Sequence, residues 1–159
     1  IMMNGNNKDN PSSIPQFLNE LEQGLDYVQG SRFISGGHQE NTPLIRHFAI
    51  RMIHAPLFSL AAHRWMTDTT NGYRAFSRSF LQDARVHLFQ EAFQAYEIEQ
   101  YMAWKALRLG FECKEISVSR CYPPRNQQKS TASFSKIKPG SGYFLMIKPL
   151  LCLNLGLYK

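Results

Sequence analysis

Cysteine is scarce in this sequence. Cys113, Cys121 and Cys152 have neither zinc-ligand spacing nor an even number for full pairing. That excludes a disulfide-stapled scaffold, and free thiols in a reducing compartment are the simplest expectation. No signal-peptide pattern opens the chain and no internal repeat runs along it. Long apolar runs are lacking too. The stretch from Tyr143 to Tyr158 is interrupted by Lys148-Pro149 and is short for a membrane span. Acidic residues are absent beyond Glu115, where Arg120, Arg125, Lys129, Lys136, Lys138, Lys148 and Lys159 supply seven positive charges. Up to Glu115 the balance is 11 Lys and Arg against 12 Asp and Glu, so the net charge of +6 belongs to the tail.

What is present suits one globular domain. A chain of 159 residues can bury a core, and 43% hydrophobic residues with 19% charged is ordinary for one. Strand and helix patterns alternate, which favours an α/β sheet. Ile1 to Met3 reads as a strand end. Ile14, Phe17, Leu18 and Leu21 share a helical face, with Ser12 or Ser13 as cap and Gly24 as stop. Asp26 to Gln29 predicts a short strand ended by Gly30, and Ser35 to Asn41 a glycine-rich loop. Thr42-Pro43 opens a helix with the stripe Ile45, Phe48, Met52 and Ile53, which Pro56 should break or kink. Tyr73 to Phe76 predicts a strand, followed by a short helix capped at Ser77. Phe93, Tyr96, Gln100, Trp104 and Leu107 mark a long helix ending at Gly110. Phe111 to Tyr122 reads as extended, with a bulge expected where the alternation shifts between Cys113 and Ile116.

The richest run is Asp68-Thr69-Thr70-Asn71-Gly72-Tyr73-Arg74-Ala75-Phe76. A carboxylate, small hydrogen-bonding side chains and a glycine precede an aromatic-Arg-aromatic strand. Asp68 can accept a proton, and Arg74 can hold phosphate in a bidentate fork. Gly72 is expected to supply a backbone conformation that a side chain would forbid. The same residues also describe a β-turn feeding an amphipathic strand.

Asp68 to Ser77 resembles the acidic-small-small-polar-Gly-aromatic-Arg signature of family 2 glycosyltransferases, and most of all their polyprenyl-phosphate sugar synthase branch, the dolichyl-phosphate mannose synthases among them. Other stretches match in the same order: Asn4 to Pro11, Gly30-Ser31-Arg32-Phe33 with Gly36-Gly37, Tyr96-Glu97-Ile98-Glu99, Lys105 to Phe111, and Arg120-Cys121-Tyr122-Pro123. The resemblance implies an incomplete glycosyltransferase A-type fold, a mixed sheet flanked by helices. The match begins where that family carries its acidic metal motif, so the expectation is a carboxyl-terminal portion that lacks most of the donor site. Residues 1–122 would be catalytic domain, 123–139 a basic mobile loop and 140–159 an apolar or amphipathic tail helix.

The implied reaction is an inverting transfer of a sugar from a nucleotide-diphosphate donor to a polyprenyl-phosphate acceptor. Asp68 and Arg74 would be catalytic, with Asp68 either base or orienting group. Arg32 and Arg46 would hold the acceptor phosphate, which a planar guanidinium does better than Lys. A divalent cation, Mg or Mn, would fall to Asn4, Asn6 and Asp9. Amide carbonyls there bring no charge, so affinity should fall. Asn4-Gly5-Asn6 also reads as a plain turn. Asn71, Gly72 and Glu97 complete the expected site, Glu97 being the inward member of the Glu97/Glu99 pair.

The basic loop and tail helix suit a cytoplasmic protein resting on an anionic bilayer, with a core-closing helix as the other reading of the tail. Nucleic acid is not an expected partner, because the tail lacks interleaved stacking aromatics. The rival expectation is a catalytically inactive interaction or scaffold module that keeps part of the fold.

Overall fold

The computed structural model describes residues 1–93, 97–124 and 141–158, the side chains of 141–144 aside. Its centre is β1 (Tyr27–Ser31), every residue of which is buried. β1 pairs antiparallel with β3 (Arg74–Phe76) and parallel with β4 (Cys113–Ser117), giving a mixed sheet in the order β3-β1-β4.

Both faces of this sheet are covered. On one face α1 (Ile14–Glu22) packs Phe17, Ile14 and Leu21 over Val28, Tyr73, Ala75, Ile116 and Val118. The other face carries Tyr27, Phe76 and Cys113 into a larger core. That core is filled by α3 (Ala55–Ala62), α4 (Arg78–Gln82), α5 (Glu97–Arg108) and α6 (Ser141–Asn154). Burying one large apolar side chain such as Phe17 or Phe58 contributes roughly 1.5–3 kcal/mol.

Two-sided burial explains the shifted alternation of Phe111 to Tyr122. Cys113 and Ile116 lie in opposite cores, so both read as apolar without a bulge between them. The interruption falls instead at Val118, where the chain leaves β4 and starts β5 (Ser119–Cys121). β5 pairs parallel with β2 (His38–Glu40), a strand inside the segment expected to be loop. β1 likewise runs through Gly30 rather than ending there. A Cβ at Gly30 would lie 3.0 Å from the Tyr73 carbonyl oxygen and 3.1 Å from Phe17, so glycine marks tight packing and not a stop.

α2 (Leu44–Ala49) continues into a π-helical turn, Ile50–His54, and then α3. Pro56 sits at the start of α3. Proline cannot donate to the carbonyl four residues back and crowds it. The wider π turn accommodates this, with the Ala55 amide donating to the Ile50 carbonyl. The helix therefore continues through Pro56, and the interruption expected there takes the form of this π turn. Its stripe does not face the core: Ile45 is 76% exposed, and Phe48 and Met52 are each 61% exposed.

Other boundaries follow the sequence. Ser77 Oγ caps α4 by accepting from the Phe80 amide, and Gly110 follows α5 with φ +78°. Met2 forms an antiparallel bridge with Arg74, so the first residues do lie at the sheet. α6 buries Leu150 and Leu153 in the larger core, and Asn154 Nδ2 donates to the Leu57 carbonyl at 3.2 Å. That is the core-closing reading of the tail helix. The basic loop expected at 123–139 lies, from 125 onward, outside the described residues, as does Tyr96.

Candidate anion-binding site

The loop after α3 lies across the ends of β1 and β4, and buried polar groups fix it there. Both Glu115 carboxylate oxygens accept from the Thr67 amide at 3.0 Å. One of them also accepts from Thr67 Oγ1 at 2.9 Å and from the Asp68 amide at 3.1 Å. Burial raises the Glu115 carboxyl above its ordinary range, although these bonds pull the other way. The Thr67 and Ser31 hydroxyls are 2.6 Å apart, which ties the loop to the end of β1.

This anchoring presents Asp68 to Arg32, the residue just past β1. Arg32 Nε donates to Oδ2 at 2.6 Å, Nη2 donates to Oδ1 at 2.8 Å, and the Arg32 amide donates to Oδ2 at 3.1 Å. Asp68 is fully buried and Arg32 is 4% exposed. Burial alone would lower the Arg32 pKa, yet Asp68 holds the guanidinium above its usual value. Two of the residues singled out from sequence are thus a bidentate buried pair.

Arg74 lies beneath the loop. Its Nε donates to the Asn71 carbonyl at 2.9 Å, Nη2 to the Thr69 carbonyl at 3.0 Å, and Nη1 to the Glu99 carbonyl of α5. At 1% exposure it braces the loop against α5. Asn71 completes the brace: Nδ2 donates to the Gly30 carbonyl at 3.1 Å and Oδ1 accepts from the Tyr73 amide at 3.2 Å. His54 Nδ1 lies 2.6 Å from Thr69 Oγ1. Burial, with help from the Arg74 charge, lowers the His54 pKa to about 4.

Beside this pair three cations lie against one ring. Lys8 Nζ lies 4.9 Å from the Tyr122 ring centroid, and the guanidinium carbons of Arg46 and Arg120 each lie 5.7 Å from it. The Arg32 and Arg120 charges both act on the Tyr122 phenol. Burial pushes the Tyr122 phenol up, but Arg46, Arg120 and Arg32 together bring it below its ordinary value. Arg46, the more exposed of these arginines, extends from α2. Arg46 thus lies against the Tyr122 ring, and Arg32 is paired with Asp68. Lys8 and Arg120 lie against the same ring. The Arg-Cys-Tyr run carried that signal, since alternate strand residues share a face.

The metal-ligand set does not fit a resident cation. Asp9 is buried, and both its oxygens accept from Arg120 Nη1 at 2.5 Å. Asn4 packs against Gly72, and Asn6 Oδ1 is a buried acceptor with no hydrogen-bond partner. The donors thus comprise two neutral amides and one carboxylate already held by a guanidinium. Among the described residues no group of three or more His, Cys, Asp or Glu gathers to hold a metal.

Gly72 differs from expectation. Its φ is not among the positive values, so no special backbone conformation requires it. A Cβ there would lie 2.5 Å from Asn4 Nδ2, and close approach is the reason for glycine. Glu97 is 1% exposed, and Lys148 Nζ of α6 lies 3.8 Å from its Oε1. No helix among the described residues is long and apolar enough to cross a membrane.

No family model matches the chain. Over 122 residues the chain is 24% identical to a polyprenol monophosphomannose synthase of Mycolicibacterium smegmatis, a match covering 75% of this chain and 44% of that relative. The chain thus spans less than half of the curated relative it matches. Mixed α/β architecture, a mixed sheet flanked by helices, and this distant likeness together support a glycosyltransferase-like relationship.

Proposed function

We propose that this chain forms the acceptor side of a glycosyltransferase A-type enzyme of family 2, one that transfers a sugar from a nucleotide-diphosphate donor to a polyprenyl phosphate. The observation carrying this reading is the convergence of Lys8, Arg46 and Arg120 on Tyr122, beside the buried Arg32–Asp68 pair. Guanidinium groups gathered beside a braced loop suit a phosphate monoester, because charge-assisted bonds are strong and the donors need little reorganisation. The distant synthase likeness points to the same acceptor class.

In this reading Asp68 orients Arg32 and is not a general base. Both of its oxygens accept from Arg32. A phosphate acceptor is already ionised near neutral pH, so little proton removal is required. Arg46 meets the incoming phosphate, Arg32 and Arg120 complete the field behind it, and Arg74 keeps the loop in place. The acceptor oxygen then attacks the sugar carbon from the face opposite the departing nucleoside diphosphate.

Calorimetry with a short-chain polyprenyl phosphate and the matching neutral polyprenol tests this. The phosphate should bind and the alcohol should bind far more weakly. Arg46→Gln should reduce phosphate affinity roughly tenfold or more, in line with about 1.5–3 kcal/mol for a hydrogen bond to a charged group. Equal binding of alcohol and phosphate would overturn the reading.

One observation favours a second reading, an inactive interaction module retaining part of the fold: Asp9 is committed to Arg120, and Asn4 and Asn6 carry no charge. The substitutions Asn4→Asp and Asn6→Asp, with a donor-binding half supplied in trans, separate the two. Sugar transfer supports the enzyme, and its absence supports the module.

A further inference from the structure

His54 is a buried polar residue to which the phosphate reading gives no part. It closes the π turn Ile50–His54, is 5% exposed, and its Nδ1 lies 2.6 Å from Thr69 Oγ1. Its Nε2 is buried and has no hydrogen-bond partner. An apolar side chain would fill that place without burying an unpaired ring nitrogen, so packing alone does not account for a histidine. What the imidazole does is join two elements. Thr69, 4% exposed, lies in the loop that presents Asp68, and its carbonyl accepts from Arg74 Nη2. His54 belongs to the continuous helix that carries Arg46 eight residues earlier.

The π turn sets the angle between these two side chains. Each residue of an α-helix turns the chain by about 100°, so eight residues of unbroken helix would leave Arg46 and His54 about 80° apart. A π turn holds one residue more than an α turn, which brings the two to within about 20°, on one face. Burial follows this phase: Ile50 and His54 are 3% and 5% exposed, whereas Phe48 and Met52 are each 61% exposed. The helix thus offers Arg46 to Tyr122 and His54 to Thr69 from the same side.

We propose that His54 is a positioning residue: its bond to Thr69 fixes the rotation of this helix and so holds the Arg46 guanidinium against Tyr122, beside the Arg32–Asp68 pair. The π turn is the device that lets one helix face serve both contacts. The imidazole acts as a neutral group, because burial and the Arg74 charge oppose its protonation and Asp68 offsets them only in part. The inference rests on the acceptor reading for the purpose of Arg46, and not for the geometry.

The test is ultraviolet difference titration of the Tyr122 phenol in ligand-free protein, with Tyr122→Phe as the blank. Arg46 is the largest of the charges that lower this phenol, so its ionisation reports where that guanidinium lies. His54→Phe keeps a ring and removes the bond, and Thr69→Val removes the same bond from the other side. Each should raise the Tyr122 ionisation most of the way to that of Arg46→Gln. Combining His54→Phe with Arg46→Gln should add nothing further, as expected of residues acting through one another. His54→Asn places an amide where Nδ1 stood and should stay near the parent. Ser59→Ala removes a different bond, from the Met66 amide to α3, and should leave Tyr122 unmoved. Circular dichroism checks folding, and Thr69→Val carries the test where His54→Phe does not fold. The proposal is overturned if folded His54→Phe and Thr69→Val keep the parent ionisation, or if Ser59→Ala shifts it as far. A double variant that shifts by the sum of the two single ones also overturns it. Because no phosphate is present, this result and the phosphate-binding result can fail independently.

Discussion

Asp68→Asn is the sharpest perturbation of the site. The side chain keeps its shape and one acceptor oxygen, but it loses its charge and sets an NH2 group against an Arg32 donor. Asp68 has no exposed surface, and the Arg32 side chain is 2% exposed, so water cannot replace the missing charge. Three donors from Arg32 now converge on the carboxylate. Removing one partner of a buried pair leaves the other charge uncompensated, typically a loss of about 3–5 kcal/mol. For a domain of this size each kcal/mol lowers Tm by roughly 2–4 °C, so Tm should fall by roughly 6–20 °C. Urea denaturation followed by circular dichroism measures the loss directly. Adding Arg32→Met removes the orphaned cation and should recover roughly half of it, since replacing both partners is far less costly than removing one. The reasoning is refuted if Asp68→Asn lies within about 1 kcal/mol of the parent, or if the double variant is no more stable than the single one.

Four further outcomes are expected. His54 is held neutral, with its pKa lowered to about 4 from an ordinary 6.5. Its contribution is therefore complete above the unfolded value and is lost as pH falls through the window toward 4, by up to about 3 kcal/mol. Denaturation curves of His54→Gln should show a flatter dependence across that window. The Tyr122 phenol should ionise below its ordinary range in ultraviolet difference titration against Tyr122→Phe, and Arg46→Gln should move it upward; ionisation at or above the ordinary range would contradict the cation cluster. Gly37→Ala should destabilise by about 1–3 kcal/mol, because its Cβ would lie 2.7 Å from the Ser31 oxygen and the Arg32 carbonyl carbon, neither free to move. Gly72→Ala meets mainly the far end of the Asn4 side chain and should cost less than about 1 kcal/mol in the same assay.

Local chemistry was legible before any coordinates. The cap at Ser77, the stop at Gly110, the helix begun near Ile14 and the short strand before Ser77 depend on neighbouring residues, and they stand close to where the sequence puts them. The stripe at 45, 48, 52 and 53 was legible as a helix, but periodicity reports only that a face exists and not what covers it. β2 was missed because a three-residue exposed strand has no apolar alternation and is defined by its distant partner β5. Gly30 and Gly72 looked like punctuation and instead mark close approach, which depends on Phe17, Tyr73 and Asn4 arriving from elsewhere.

The sequence by itself determined the α/β class, the concentration of positive charge after Glu115, and the residue types able to hold a phosphate. Tertiary structure alone decided how those residues are employed. Asp68 and Arg32 are 36 positions apart, and Asp9 and Arg120 are 111 apart. Strand pairing and the buried Glu115 anchor bring the first pair together, and the bridge between Asp9 and Arg120 fixes the second. A carboxylate reads the same in a sequence whether it is open to a substrate or already held by a guanidinium. Only burial and the direction of the neighbouring donors distinguish the two, and both are properties of the folded chain.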